Sequence, residues 1–371
     1  MRVSTADFYA RSLAGMQQRE TVLAQVQRQL GSGLRLENPI DDPAGAASVS
    51  RFSAALAAGT SFEATVNRAN AALMAEEGAL ASVGDVLQRV RELALQGLSS
   101  AQSVQSRAGL AAEVEALRGQ LLALANSRGA DGEHLFAGYS VTAPPFQESA
   151  GVVSYVGDGG QRRLEVGPGN SIAIADTGAT VFAGARAGNG SFVTAAGPAN
   201  TGTLLVGGTS VVGSFVPDDY TDGDTLSFNG VSLNLSGRPG DGDVISVKPA
   251  ARQDMFAALS ELAEALRQPD SSPQLRTAQA NRLNRSIEQL DQQLGHVSSV
   301  RADVGSRLRA ADVAADANAG ARLQIEQALS DVRDLDYAEA STRLAKNLTA
   351  LQAVQETFTR LANLSLFNYL R

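Results

Sequence analysis

Aspartates crowd one stretch of this 371-residue chain: Asp218, Asp219, Asp222 and Asp224, then Asp241 and Asp243. Carboxylates at such density are what a hard cation such as calcium requires. Their spacing fits neither the EF-hand loop nor the glycine-rich nonapeptide repeat. Aspartate beside glycine also builds turns through its own side chain, and that chemistry accounts for the cluster. No metal is expected. The chain has no cysteine, so a disulfide, a thiolate zinc site and a cysteine nucleophile are excluded. Its two histidines, His134 and His296, are far apart and lie in no motif. There is no phosphate loop and no nucleophile elbow. Gly167-Pro168-Gly169 and Gly188-Asn189-Gly190 lack the strand–turn–helix setting of a nucleotide site and are read as turns. No catalytic residue and no cofactor is assigned, and the chain is not read as an enzyme.

Composition bounds the partners. The net charge is −8, and Lys248 and Lys346 are the only lysines. Arginines are spread among acids without interleaved aromatics, so no nucleic acid is expected. Residues Met1 to Phe8 carry no apolar core of a cleaved secretory signal. No apolar run approaches the ~18 residues that a membrane span needs.

What remains to be positioned is apolar surface. Residues 1–128 and 275–371 are rich in Ala, Leu, Gln and Arg, and Pro is nearly absent from both. Phe52, Leu56, Gly59, Val66, Leu73, Leu80, Val83, Leu87, Val90 and Ala94 fall on steps of three, four or seven. So do Leu110, Val114, Leu117, Leu121 and Leu124. Near the other end the run is Leu283, Ile287, Leu290, Leu294, Val297, Arg301, Val304, Leu308, Ala311 and Ala315, followed by Leu344, Leu348, Leu351, Gln355 and Phe358. Sustained stepping of this kind is the coiled-coil signature. Alanine favours helix but buries little area, so these seams need close neighbours.

Breaks have physical causes. Gly31 and Gly33 end the first helix. Asp42 is a natural N-cap, with Pro43 at the first helical position. Asp336, with Glu339 three residues later, resembles a capping box that restarts the last helix after a kink near Asp334.

Between about 140 and 250 the period changes to two. Short strands are expected at Val152–Val156, Leu164–Val166, Ile172–Ile174, Thr203–Val206, Val211–Val212, Thr225–Phe228, Val231–Leu235 and Val244–Val247. Asn229-Gly230 between two such runs is a hairpin signal. One or two small antiparallel domains follow, with their own turns at Gly157, Asn229 and Gly240, able to fold without the helices. The fold class is α+β. Both termini form a long coiled-coil-like helical bundle, and a β-rich insert domain lies between them. The expected domains are terminal axial helices at 1–40 and 330–371, a helical rod at 41–139 and 251–329, and the insert at 140–250.

Several blocks resemble one family. Leu30-Gly31-Ser32-Gly33-Leu34-Arg35 followed by Asp41-Asp42-Pro43-Ala44-Gly45 resembles the LSSGxRI…DDxAG block of bacterial flagellins and their relatives. Asn67-Arg68-Ala69-Asn70, Glu77-Gly78-Ala79-Leu80, Leu87 to Ala94 and Asp336-Tyr337-Ala338-Glu339 continue the likeness. Leu135-Phe136-Ala137-Gly138 is similar to the LFxG of the hook–filament junction branch, the third hook-associated proteins. Leu364 to Leu370 is similar to that branch's SLFDYL tail, with Asn368 in place of Asp.

The resemblance implies an axial structural subunit of the flagellum that joins the hook-associated zone to the filament. It implies type III export, assembly through the terminal helices, and a β-insert facing outward. Implied partners are further copies in a helical ring, the first hook-associated protein, flagellin and an export chaperone. Subunit contacts are assigned to Phe8, Leu23, Leu30, Leu344, Leu348, Leu351, Phe358, Leu364, Leu366, Phe367 and Tyr369. The motif residues are Gly33, Arg35, Asp41, Asp42, Gly45, Phe136 and Gly138. Two other readings compete: a flagellin, or a secreted adhesin with a helical stalk. Exposed aromatics in the insert would favour the adhesin, but Tyr155, Phe182, Phe192, Phe215, Tyr220 and Phe228 are scattered and most suit strand cores.

Overall fold

The helix ends of the computed structural model follow the punctuation of the sequence. The structure describes residues 5–40, 42–99, 102–187, 191–196, 205–210, 223, 225–228, 231–236 and 245–369. At 5–6, 8–9, 194–196, 205–210, 226–228, 231–236, 245 and 361–369 it describes the backbone alone. Helix α1 spans Thr5–Ser32. Gly33 closes it at φ +73, donating its N–H to the Gln29 carbonyl at 2.8 Å. Gly31 stays inside the helix, so Gly33 alone is the cap. Asp42 Oδ1 accepts the Gly45 N–H at 2.8 Å and starts α2 (Pro43–Gly97). Helix α3 is Val104–Ala125, capped by Ser103. Helix α6 runs over Pro273–Arg333. Asp336 Oδ1 then accepts the N–H groups of Ala338 and Glu339 at 2.9 and 3.1 Å and begins α7 (Tyr337–Tyr369).

The chain divides into two compact units, Met1–Glu63 with Asp316–Arg371, and Ala64–Ala315. Helices α2 and α6 each contribute residues to both.

The 64–315 unit holds the main core. Leu73, Leu80, Val83, Leu87, Val90 and Ala94 of α2 are fully buried. On α6, Leu283, Leu290, Val297, Val304 and Ala311 recur every seven residues and are at most 2% exposed. Burying such a side chain contributes about 1.5–3 kcal/mol. Arg301 lies on the same seam, and its guanidinium turns outward to Glu77 at 2.6 Å.

The middle is a set of small antiparallel pieces. β1 (Phe146–Ser149) pairs with β2 (Val152–Tyr155), and β3 (Arg163–Gly167) with β4 (Asn170–Ala173). Then come α4 (Gly178–Ala183), β5 (Phe192–Ala196), β6 (Leu205–Ser210), β7 (Thr225–Phe228), β8 (Val231–Ser236) and β9 (Ile245–Pro249). β5 pairs with β9, and β8 lies between β6 and β7. Phe228 pairs with Val231, the register of a two-residue hairpin. Asn229, Gly230, Val211, Val212 and the aspartate cluster lie outside the described residues.

Two expectations are corrected. The insert does not fold apart from the helices in its first half. Phe146, Val153, Val166, Ile172, Val181 and Phe182 belong to the same apolar cluster as Leu73, Leu259 and Leu290. Phe182, expected in a strand, sits on α4 and stacks on Phe256 with centroids 5.9 Å apart. Within the expected helical rod at 251–329, a separate short helix, α5 (Met255–Arg267), precedes the long one. Asp254 caps it by accepting the Ala257 N–H at 3.0 Å, and its Leu259, Leu262 and Leu266 are buried.

Candidate subunit interface

The histidines do structural work. His134 Nδ1 lies 2.8 Å from the Asn126 carbonyl, and His296 Nε2 lies 2.7 Å from that of Thr180. Large apolar residues are left exposed in both units, Met74, Val152 and Val313 in 64–315 among them; the expected contact residues concern those of the unit made of both termini.

A joint fixes that unit. The Arg35 N–H donates to the Arg333 carbonyl at 2.8 Å, and the Leu335 N–H donates to the Gly33 carbonyl at 3.0 Å. Gln29 Nε2 donates to the Arg35 carbonyl at 2.8 Å, and the Arg35 guanidinium reaches the Val332 carbonyl. Asp334 is held below the usual carboxylate range, first by its hydrogen bond from Arg333. These bonds set the end of α1 beside the start of α7, so the two helices pack antiparallel. Gly33 has two reasons to be glycine: φ is +73, and a Cβ would stand 2.8 Å from Tyr337 Oη.

Heptad logic continues along both helices. On α1 the half-buried or buried positions include Ser12, Gly15, Arg19, Val22, Val26 and Gln29. On α7 they include Ala340, Leu344, Asn347, Leu351, Val354 and Phe358. Steps of three and four on each give one stripe per helix. The stripes are poorly closed. Among the described residues of this unit, only Val26, Gln29, Leu329 and Ala340 are buried. Beside the stripes, Leu13 on α1 is 53% exposed and Leu348 on α7 40%, and Leu323 on α6 is 57% exposed. The Arg322–Glu63 pair, 3.0 Å apart, is solvent-exposed on both sides and contributes little.

The expected contact residues divide accordingly. Leu23, Leu30, Leu344, Leu351 and Phe358 are half-buried, and Leu348 is exposed. The side chains of Phe8, Leu364, Leu366, Phe367 and Tyr369 lie outside the described residues, as does Asp41. Gly33 and Arg35 bind residues 332–335 at the joint, and Asp42 caps α2 at Gly45, all in this unit. Phe136 and Gly138 belong to the 64–315 unit, where they serve the core. Phe136 is fully buried, edge-on to Phe182 at 5.3 Å. Gly138 has φ +71, and a Cβ would lie 2.6 Å from the Asp158 carbonyl. Of the aromatics weighed in the insert, Phe182 and Phe192 are buried and Tyr155 is half-buried. Phe215, Tyr220 and the side chain of Phe228 lie outside the described residues.

Residues 3–141 match the bacterial flagellin N-terminal helical region, and 287–370 match the C-terminal helical region. The chain is 27% identical to flagellar hook-associated protein 3 of Escherichia coli over 369 residues, covering 99% of each. It is similar to the crystal structure of Xanthomonas campestris FlgL, with a TM-score of 0.69 and 30% identity, covering 75% of this chain and 99% of that one. Legionella pneumophila hook-associated protein 3 gives a TM-score of 0.73 and 28% identity, covering 76% and 98%. A Salmonella flagellin is 35% identical, but over only 26% of this chain and 19% of its own length. Full-length likeness thus favours the hook-associated branch over a filament subunit.

Proposed function

Because the chain belongs to the flagellin-related family of hook-associated protein 3, a structural family of the bacterial flagellum, we propose that its terminal helices complete their apolar stripes on neighbouring subunits of the axial structure. The observation that carries this reading is the contrast between the units. Seams with the same stepping are closed within 64–315 and left half-open in the terminal unit. A stripe rich in Ala and Gln buries too little within one chain, and other helices complete it.

In this reading, residues 1–40 and 330–371 form the axial part, 41–139 with 251–329 the rod, and 140–250 the outward face. Copies of the chain form a helical ring with the first hook-associated protein below and flagellin above. Such contacts join different faces of each copy and give an open array. Export runs through the flagellar type III channel with a chaperone on the apolar C-terminal segment. No catalytic step is assigned. The contact residues are Phe8, Leu23, Leu30, Leu344, Leu348, Leu351, Phe358, Leu364, Leu366, Phe367 and Tyr369.

The test is site-specific crosslinking from Leu348 and Leu13 in intact flagella. Adducts to a second copy, to the first hook-associated protein or to flagellin are expected. Crosslinks confined to one chain would overturn the proposal.

A further inference from the structure

Glu76 is the buried carboxyl among the described residues: it is 1% exposed, on α2 between the fully buried Leu73 and Leu80. Its Oε1 accepts the Asp176 N–H at 2.9 Å, and its Oε2 has no hydrogen-bond partner. The charges that face it come from three places. Asp176 lies in the turn between β4 and α4, Arg307 on α6, and Arg162 just before β3. Both arginines act on it only from ion pairs with other acids. Arg307 is paired with Asp176, and Arg162 with Glu133. On its own helix, Glu77 is taken by Arg301. The local charges therefore cancel without Glu76. An ionised Glu76 would be a surplus negative charge with one bare oxygen inside the core.

We infer that Glu76 enters the folded 64–315 unit with a proton, so that closing α2, the Asp176 turn and α6 around it takes up a proton and makes this joint alkali-sensitive. Burial in an apolar seam disfavours the charged form, and the nearby Asp176 carboxylate adds to this. The carboxyl is pushed up from 4.5 to about 8, first by burial and then by Asp176, against the opposing Asp176 amide and both arginines. The sign follows. Between pH 4.5 and about 8 the folded chain holds a proton that the unfolded chain has lost. The contribution of Glu76 to stability is thus complete below the unfolded value and is lost as pH rises through the folded one. In that window the unfolding constant gains up to about tenfold per pH unit from this group.

The experiment compares the full chain with Glu76→Gln, whose amide keeps the acceptor for the Asp176 N–H and is neutral at every pH. Urea unfolding is followed by circular dichroism from pH 5 to 9. The ratio of the two unfolding constants should change on the order of a hundred- to a thousandfold between pH 5 and 8. A ratio independent of pH would overturn the inference. If the glutamine variant does not fold, carboxyl-carbon NMR of the unaltered protein decides. One glutamate signal should move between pH 7 and 9. Completion of every glutamate titration below pH 6 would refute the proton.

Discussion

At the scale of single residues, position on a seam means different things in the two units. Leu290 is 1% exposed and Leu348 is 40% exposed, although both sit on heptad steps. An aspartate at 290 would place an unpaired charge in a closed core, at a cost of several kcal/mol, ~3 or more. Leu290→Asp is therefore expected to lower the urea midpoint of the isolated chain sharply and to prevent junction formation. Leu348→Asp should leave the midpoint almost unchanged and still prevent assembly. Equal midpoints for the two variants would contradict this division. A glycine gives a second test. Gly138→Ala meets both a left-handed φ and the Asp158 carbonyl at 2.6 Å, so a loss of about 1–3 kcal/mol is expected in the same assay.

The sequence revealed part of this. The heptad run from Leu283 to Ala311 is legible because side-chain period and helix period coincide. Glu76 was passed over, although it falls three after Leu73 and four before Leu80 on the same seam. An acid on an apolar stripe was the available signal, and only the fold shows that the arginines facing it are in ion pairs with other acids. Exposure along the terminal seams was not legible. The same stepping describes a stripe that is closed and one that is half-open.

At the scale of elements, the helices were legible and the middle was less so. Caps at Gly33, Asp42 and Asp336 depend on local chemistry, which sequence carries completely. The helical character of 251–329 was expected, but α5 was not set apart in it, since its 13 residues are too short a stretch for a seam of its own to declare itself. β1 was missed because Phe-Gln-Glu-Ser has one buried residue and no alternation. That one residue is also why the insert is not autonomous. Phe146 lies 5.2 Å from Phe182 and 5.4 Å from Phe256, joining strand, short helix and α5 into one cluster. Replacing 145–245 by a short linker would remove Phe146, Val166, Val181 and Phe182 from the core and should unfold the 64–315 unit. A narrower replacement should not. Phe192 pairs with Pro249 and Val193 with Lys248, so the two ends stand side by side at the start of the β5–β9 ladder. Replacing 194–247 with a short Gly/Ser turn is expected to keep the melting transition and assembly. Loss of folding in the narrow variant, or retention in the broad one, would show that the core is drawn wrongly.

At the scale of the whole molecule, the proposed reading has folding and assembly draw on different seams. The 64–315 unit has a closed core of its own. The terminal unit has stripes that are finished by other chains in the proposed reading. Limited proteolysis of dilute monomer should therefore trim both ends and leave a core from roughly 50 to 320, since partly closed helices open locally at little cost. Full protection of 1–30 in the monomer would count against this. The tail gives the strongest form of the argument. Leu364, Leu366, Phe367, Tyr369 and Leu370 put five apolar residues within seven positions of the segment that matches the flagellin C-terminal helical region. Residues 362–371 lie outside the 64–315 unit. Deleting 362–371 should leave the urea transition of that unit in place while filament attachment is lost. The measurement pairs the denaturation curve of the purified variant with motility of cells that carry it as their only copy. Unchanged folding with lost motility is the expected pair. Normal motility would show that the tail makes no axial contact, and a collapsed transition would show that the two seams are not separate.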